Sequence, residues 1–282
     1  MLAVELLQIL GKHLNLPKIT SAGPPISMTL AKSINLPAPP YTVAKNGDVT
    51  LVGLSNGKII QINNKTNTQS VLVNIGVTYV SGVHVKNSEV YVLSELHQIV
   101  NVYDLTGHLL RSWKHDRSNG SYNKLTIVND KVIIPSRKIP SLTVYSLHGK
   151  LIRQIKVPGM TLDRKALALC EDDSVVLLDW VASCVYRVNI DSGKVMWTSK
   201  HVQRPQGVVC YKDRYVLVTN QNPDTRIWIL DINTGKNTFW QVLLNILQLT
   251  IATIREDRCS YEKLKRVIVT VAENCLSVWY GF

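Results

Sequence analysis

A six-residue phrase returns along this chain and limits what it can fold into. It reads Val-Tyr-Asp-Leu-Thr-Gly at Val102–Gly107 and Val-Tyr-Ser-Leu-His-Gly at Val144–Gly149. It reads Val-Asn-Ile-Asp-Ser-Gly at Val188–Gly193 and Leu-Asp-Ile-Asn-Thr-Gly at Leu230–Gly235, with a weaker copy at Ile62–Asn67. The spacing is about 40–44 residues, a period that marks propeller repeats. Around each copy lie four short apolar runs, here lettered a to d. In the second unit they are Ser81–Val85, Glu89–Ser94, Ile99–Tyr103 and His108–Trp113. In the fourth they are Ala166–Cys170, Ser174–Asp179, Val185–Asn189 and Lys194–Thr198. Gly with Asn or Asp between c and d supplies the positive φ of a tight hairpin. Four antiparallel strands per unit make a propeller blade.

Five blades are expected at about 41–76, 77–119, 120–160, 161–203 and 204–249. A sixth, 250–282, has candidates for strands a, b and c at Leu249–Arg255, Arg266–Val271 and Leu276–Tyr280, but no strand d. The segment Ser27–Leu36 has the character of that missing strand, bracketed by prolines that suit connectors better than strand interiors. The expected fold is all-β: a six-bladed β-propeller over 26–282, closed by the N-terminal strand 27–36, which removes exposed sheet edges. Residues 1–25 form a tail. There Leu2, Leu6, Leu7 and Leu10 fit one face of a short helix, while Glu5 and the lack of a basic lead argue against a signal core. The run Phe239–Thr250 suits either helix or strand.

Composition narrows the function classes. No apolar run reaches the roughly 18–20 residues that span a bilayer. The five cysteines form no CxxC pair, so a zinc framework is not expected. Their apolar flanks read as buried reduced thiols and a cytoplasmic chain. Two sequons, Asn64-Lys65-Thr66 and Asn119-Gly120-Ser121, do not change that reading. The histidines lack ligand spacing, and neither a Gly-rich phosphate loop nor a nucleophile elbow occurs. No metal, cofactor or catalytic residue is expected, and the chain reads as a non-enzymatic monomer. The strand-c aromatics Tyr103, Tyr145, Tyr186, Trp228 and Trp279 recur at one position of each repeat, which points to packing between blades.

Some blades open with a glycine before strand a, as in Arg204-Pro-Gln-Gly-Val-Val209 and Ser81-Gly-Val-His-Val85. Combined with the later Val-Tyr-Asp-x-x-Gly phrase, this resembles the NHL repeat over roughly Pro37 to Phe282. The resemblance implies a propeller of the kind found at the C-terminus of TRIM-NHL proteins, binding protein targets or RNA. The family's Asp-x-x-Asn-x-Arg stretch is largely missing; Asn220–Arg226 keeps only Asn and Arg elements. A WD40-like propeller is the second resemblance, although no Gly-His dipeptide introduces the blades and no Trp-Asp ends the phrases.

The net charge of +12 suggests a polyanionic or acidic partner. A propeller sorts it by face. The b–c and d–a loops share one face, and the a–b and c–d turns share the other. On the loop face fall Lys58, Lys114, Arg117, Lys124, Arg137 and Lys138. Arg164, Lys165, Lys200, Arg204 and Arg226 join them, with Tyr122 and Trp180 in or beside the same loops. Opposing acids such as Glu95, Asp163 and Asp179 are fewer, whereas the turn face is close to balanced. The expected function is a recognition module that binds a protein partner through this basic face. Single-stranded or structured RNA is the alternative, since cations neutralise phosphates while aromatics stack bases. A metal-dependent hydrolase or lyase propeller ranks third, because no converging set of ligands is found.

Overall fold

The computed structural model describes residues 28–76, 80–94, 97–115, 124–136, 139–162, 165–170, 172–211, 214–220, 226–242, 250–253, 267–272 and 275–281. For 28–33, 165, 226 and from 239 onward it describes the backbone alone. The first strand, β1 (Met28–Asn35), stands apart in sequence from the first blade. That blade is β2 (Pro40–Asn46), β3 (Val49–Leu54), β4 (Lys58–Asn63) and β5 (Gln69–Asn74). The second is β6 (Gly82–Lys86), β7 (Glu89–Ser94), β8 (Ile99–Asp104) and β9 (Leu109–Lys114). The third is β10 (Thr126–Val128), β11 (Lys131–Pro135), β12 (Ser141–Ser146) and β13 (Leu151–Lys156). The fourth is β14 (Lys165–Leu169), β15 (Ser174–Asp179), β16 (Cys184–Asn189) and β17 (Val195–Ser199). The fifth is β18 (Pro205–Tyr211), β19 (Tyr215–Asn220), β20 (Arg226–Asp231) and β21 (Asn237–Val242). Last come β22 (Thr250–Thr253), β23 (Val267–Ala272) and β24 (Cys275–Gly281).

Each of the five blades is an antiparallel meander of consecutive strands. The remaining four-stranded sheet is composite, in the order β1-β24-β23-β22. β1 pairs antiparallel with β24, from Met28 opposite Gly281 to Asn35 opposite Cys275. This is the pairing that a closing N-terminal segment requires. The innermost strands follow one another round the ring, with β22 lying against both β18 and β2. The fold class is nevertheless corrected from the sequence expectation of a six-bladed propeller with a helical tail. The structure is an all-β propeller with five self-contained blades and a sheet shared between the chain's two ends. The physical reason is strand pairing: β24 takes β1 as its outer neighbour, so the last sheet is not a repeat unit of consecutive strands. No helix occurs among the described residues, and the apolar face at Leu2–Leu10 lies outside them.

The core lies between blades. Leu93, Val102, Ile127 and Tyr145 join blades 2 and 3. Val144, Ile155, Leu177 and Tyr186 join blades 3 and 4, and Val176, Trp197, Val208 and Leu230 join blades 4 and 5. Strand-c aromatics Tyr103, Tyr145 and Tyr186 are buried there, as their recurrence predicted, and Trp228 packs against the same core.

Cys170 and Cys210 also join blades 4 and 5, through a disulfide whose Cα atoms are 5.3 Å apart. This corrects the reading of reduced thiols. The two positions are 40 residues apart, about one repeat, so neighbouring innermost strands bring them side by side. Cys184 is buried and free.

Candidate recognition surface

The repeated phrase builds the turn face. At the end of strand c in blade 2, Asp104 accepts hydrogen bonds from the Thr106 N–H at 2.8 Å, the Thr106 hydroxyl at 2.6 Å and the His108 N–H at 2.9 Å. These bonds hold its carboxyl well below the usual range. Asp231 does the same for Asn233 and Thr234 in blade 5. The glycine that closes the phrase has a second task. Gly149 has φ +82° and Gly235 φ +68°, conformations that a side chain would strain. An added Cβ at Gly235 would also lie 2.5 Å from Trp197, and one at Gly149 would run into Trp113. Each turn thus packs on strand d of the preceding blade.

A clasp accompanies the contacts made by the turns of blades 3, 4 and 5. The third residue of strand d donates to the carbonyl just after strand c of the following blade. Arg111 Nε donates to Leu147 O at 3.1 Å, Arg153 Nη2 to Ile190 O, and Trp197 Nε1 to Ile232 O at 2.7 Å. Arg111 also forms a two-pronged pair with Glu89, at 2.7 and 2.5 Å. That guanidinium, with help from the Tyr91 hydroxyl, holds Glu89 down to about 2. The buried Arg187 donates to Ile232 O at 2.6 Å and pairs with Asp172 at 2.5 Å. Lys86 with Asp130 and Lys131 with Asp191 cross between blades as well. Sequence reasoning missed these positions, although the repeated Leu-x-Arg of Leu109–Arg111 and Leu151–Arg153 signals them.

The loop face is organised by short backbone bonds between its two kinds of loop: Ile75 N–H to Gly57 O, His115 N–H to Gln98 O, and Val157 N–H to Pro140 O. These contacts confirm that the b–c and d–a loops lie together. Among the expected site residues, Trp180 and Arg204 meet. The guanidinium lies 5.3 Å from the indole centroid, and the Arg204 N–H donates to Ser183 Oγ. Exposed Lys200 and His201 precede Arg204 in the same loop. Lys58 is half-buried on blade 1, and Lys114 ends β9 in solvent. Lys124 is spoken for: its ammonium donates to the Tyr41 carbonyl of blade 1, across the mouth of blade 2.

The other expected residues are not brought together by anything described. Arg117, Tyr122, Arg137, Lys138 and Arg164 lie outside the described residues. Lys165 and Arg226 begin β14 and β20, where only the backbone is described. One counted acid changes role. Asp179 is fully buried and accepts from the Thr161 N–H and hydroxyl, both at 2.6 Å, and from the Ala182 N–H at 2.9 Å. It braces two loops and offers no charge to a ligand. Lys58, Lys114, Lys200 and Arg204 form no ion pair among the described residues. No group of three or more metal-ligating side chains occurs among those residues, and no described helix is long and apolar enough to cross a membrane.

Comparison with known proteins follows this geometry. A family model described as "Outer membrane protein assembly factor BamB" matches residues 28–242. It is not the NHL-repeat family that the glycine-led openings resemble. Among solved structures, the WD40 β-propeller domain of Doa1 superposes with a TM-score of 0.62 at 10% identity, over 90% of this chain and 97% of that one. At that identity the likeness shows the propeller fold and nothing further. No protein of curated function matches the chain in sequence.

Proposed function

Because the chain belongs to the family described as outer membrane protein assembly factor BamB, we propose that it is a non-enzymatic scaffold that holds a protein partner on its b–c/d–a loop face. The observation that carries this reading is the division of cations between the faces. On the turn face Arg111, Arg153 and Arg187 are committed to neighbouring blades, whereas on the loop face Lys58, Lys114, Lys200 and Arg204 form no ion pair among the described residues and remain available to a ligand. The patch of Lys200, Arg204 and Trp180 at the corner of blades 4 and 5 has the composition of an interface centre, where Arg and Trp dominate. An assembly factor, as the family's description has it, is a protein whose work is to hold others. The disulfide between blades favours an oxidising compartment over the cytoplasm.

The test is affinity capture by the full chain and by K200E/R204E, with partners identified and then titrated as purified components. A partner retained by the wild type and lost with the variant supports the reading. Equal capture by both sinks it. A second reading, single-stranded RNA, rests on the same aromatic and cation pair. It requires RNA binding that weakens steeply with salt and loses part of that slope in R204E; binding insensitive to salt ends it.

A further inference from the structure

Strand d is the outermost strand of every self-contained blade, with no strand beyond it among the described residues. Its outer edge is therefore one along which another strand can add. In β9, β13 and β17, alternate side chains point in two directions. One set turns toward the next blade and includes the clasp residues Arg111, Arg153 and Trp197. The other set is exposed and follows one pattern in all three blades. It begins with an apolar residue: Leu110 is 49% exposed, Ile152 48% and Met196 44%. A neutral polar residue follows, and the set ends in Lys114, Lys156 or Lys200, all exposed.

The pattern is confined to contiguous blades. In blade 1, Asn74 pairs across from Lys58 as Lys114 does from Ile99, so a neutral residue occupies the lysine position. In blade 5, exposed Thr238 takes the apolar position. None of β9, β13 and β17 contains an acidic residue, and Lys114, Lys156 and Lys200, the last of them just past β17, make no ion pair among the described residues.

We infer that the outer edges of blades 2, 3 and 4 dock an extended acidic strand of another protein, on a surface that meets the loop face at Lys114 and Lys200. Edge addition supplies main-chain hydrogen bonds, and alternate side chains set the choice of partner. The lysines decide the occupant. Two such edges brought together repel, so a second copy of this chain is disfavoured, while a carboxylate placed opposite lysine is favoured. An antiparallel guest with its acid opposite Lys114 places its apolar residue opposite Leu110. Its motif is acid-x-x-x-apolar, and blades 3 and 4 ask for the same.

Selection of short random peptides displayed on phage tests this, using the full chain and two surface variants. On the wild type, acid-x-x-x-apolar sequences should be enriched. On K114E/K156E/K200E the acid should be replaced by Lys or Arg among the selected peptides. On L110S/I152S/M196S the enrichment should be lost. Hydrogen exchange with a selected peptide should show new protection in β9, β13 or β17, undiminished in K200E/R204E when the peptide occupies blade 2 or 3. Three results overturn the proposal: no motif on the wild type, the same peptides on all three proteins, or protection confined to the loop face. L110S/I152S/M196S leaves Lys114, Lys200 and Arg204 in place, so a loop-face partner still captured by that variant separates failure of this proposal from failure of the loop-face reading.

Discussion

On the turn face, Arg111, Arg153 and Arg187 each reach a carbonyl of the next blade, and two of them also hold a carboxylate. On the loop face, Arg204 leans on Trp180, and Lys58, Lys114 and Lys200 form no ion pair among the described residues. The same residue types therefore hold the ring together on one side and stay available on the other. The cause is the repeat. The phrase that ends strand c delivers a carbonyl and a glycine to the same place in blades 2 to 5, so Arg111, Arg153 and Trp197 on the preceding strands d each find a partner in blades 3, 4 and 5. The loops have no such fixed partner.

That contrast predicts unequal consequences, beginning with the largest. Trp197→Ala removes a buried ring that packs on Gly235 and leaves the Ile232 carbonyl with one donor fewer. It should destabilise the chain by about 3–5 kcal/mol in urea unfolding. A loss under about 1 kcal/mol would show that the clasp is incidental. Next is the inter-blade disulfide. Replacing Cys170 and Cys210 by serine should cost roughly 2–4 kcal/mol. Mass spectrometry after alkylation should find both cysteines blocked until a reductant is added. Finding them alkylated in the untreated, unfolded protein would remove this tie between blades 4 and 5.

Much of the framework was legible before any coordinates. Glu89–Ser94 and Ser174–Asp179 were read with their observed bounds, because alternating Val, Tyr and Leu between polar turns leaves little choice. The closing role of the N-terminal segment followed from counting strands, although that count also led to six blades; the helix was read separately from the spacing of Leu2, Leu6, Leu7 and Leu10, which lie outside the described residues. Cys170–Cys210 was missed for a physical reason: pairing depends on which strands are neighbours, and only the one-repeat separation hinted at it. Asp179 looked like a loop charge because burial is decided by distant donors, Thr161 above all. Arg111 and Arg153 were passed over in the sequence, since their carbonyl partners lie in another blade. Tyr103 and Tyr186, by contrast, were placed correctly because a recurring aromatic reports packing wherever the repeat goes.

Acid sharpens the comparison from the turn side. Glu89 is held down to about 2, chiefly by its hydrogen bonds from Arg111. A carboxyl that titrates lower folded than unfolded contributes stability that is full above its unfolded value, about 4.5, and lost as pH falls toward 2. His84, on the innermost strand of blade 2, is pushed down to about 4 by desolvation, with Lys86 adding to the effect. The unfolded chain takes up that proton first, so this contribution is full above about 6.5 and lost as pH falls toward 4. Urea midpoints should therefore drop in two stages on acidification. His84→Gln should flatten the upper stage and Glu89→Gln the lower. An unchanged upper stage in His84→Gln would assign it to other groups.

The smallest effect is the most discriminating, because it sets one charge change against its twin on the other face. Arg204→Glu reverses a cation whose described contacts are an indole face at 5.3 Å and a backbone bond that survives the change. Its stability cost should stay within about 1 kcal/mol, the range of an exposed cation–π contact. Arg153→Glu makes the same substitution where the side chain donates to Ile190 and Asp191 carbonyls of the next blade. There the loss includes charge-assisted hydrogen bonds, and the new carboxylate faces oxygen acceptors, so about 1–3 kcal/mol is expected. Binding should run the other way, with the partner lost in Arg204→Glu and kept in Arg153→Glu. Equal stability losses, or equal binding losses, would mean that the two faces do not divide the work as their contacts imply.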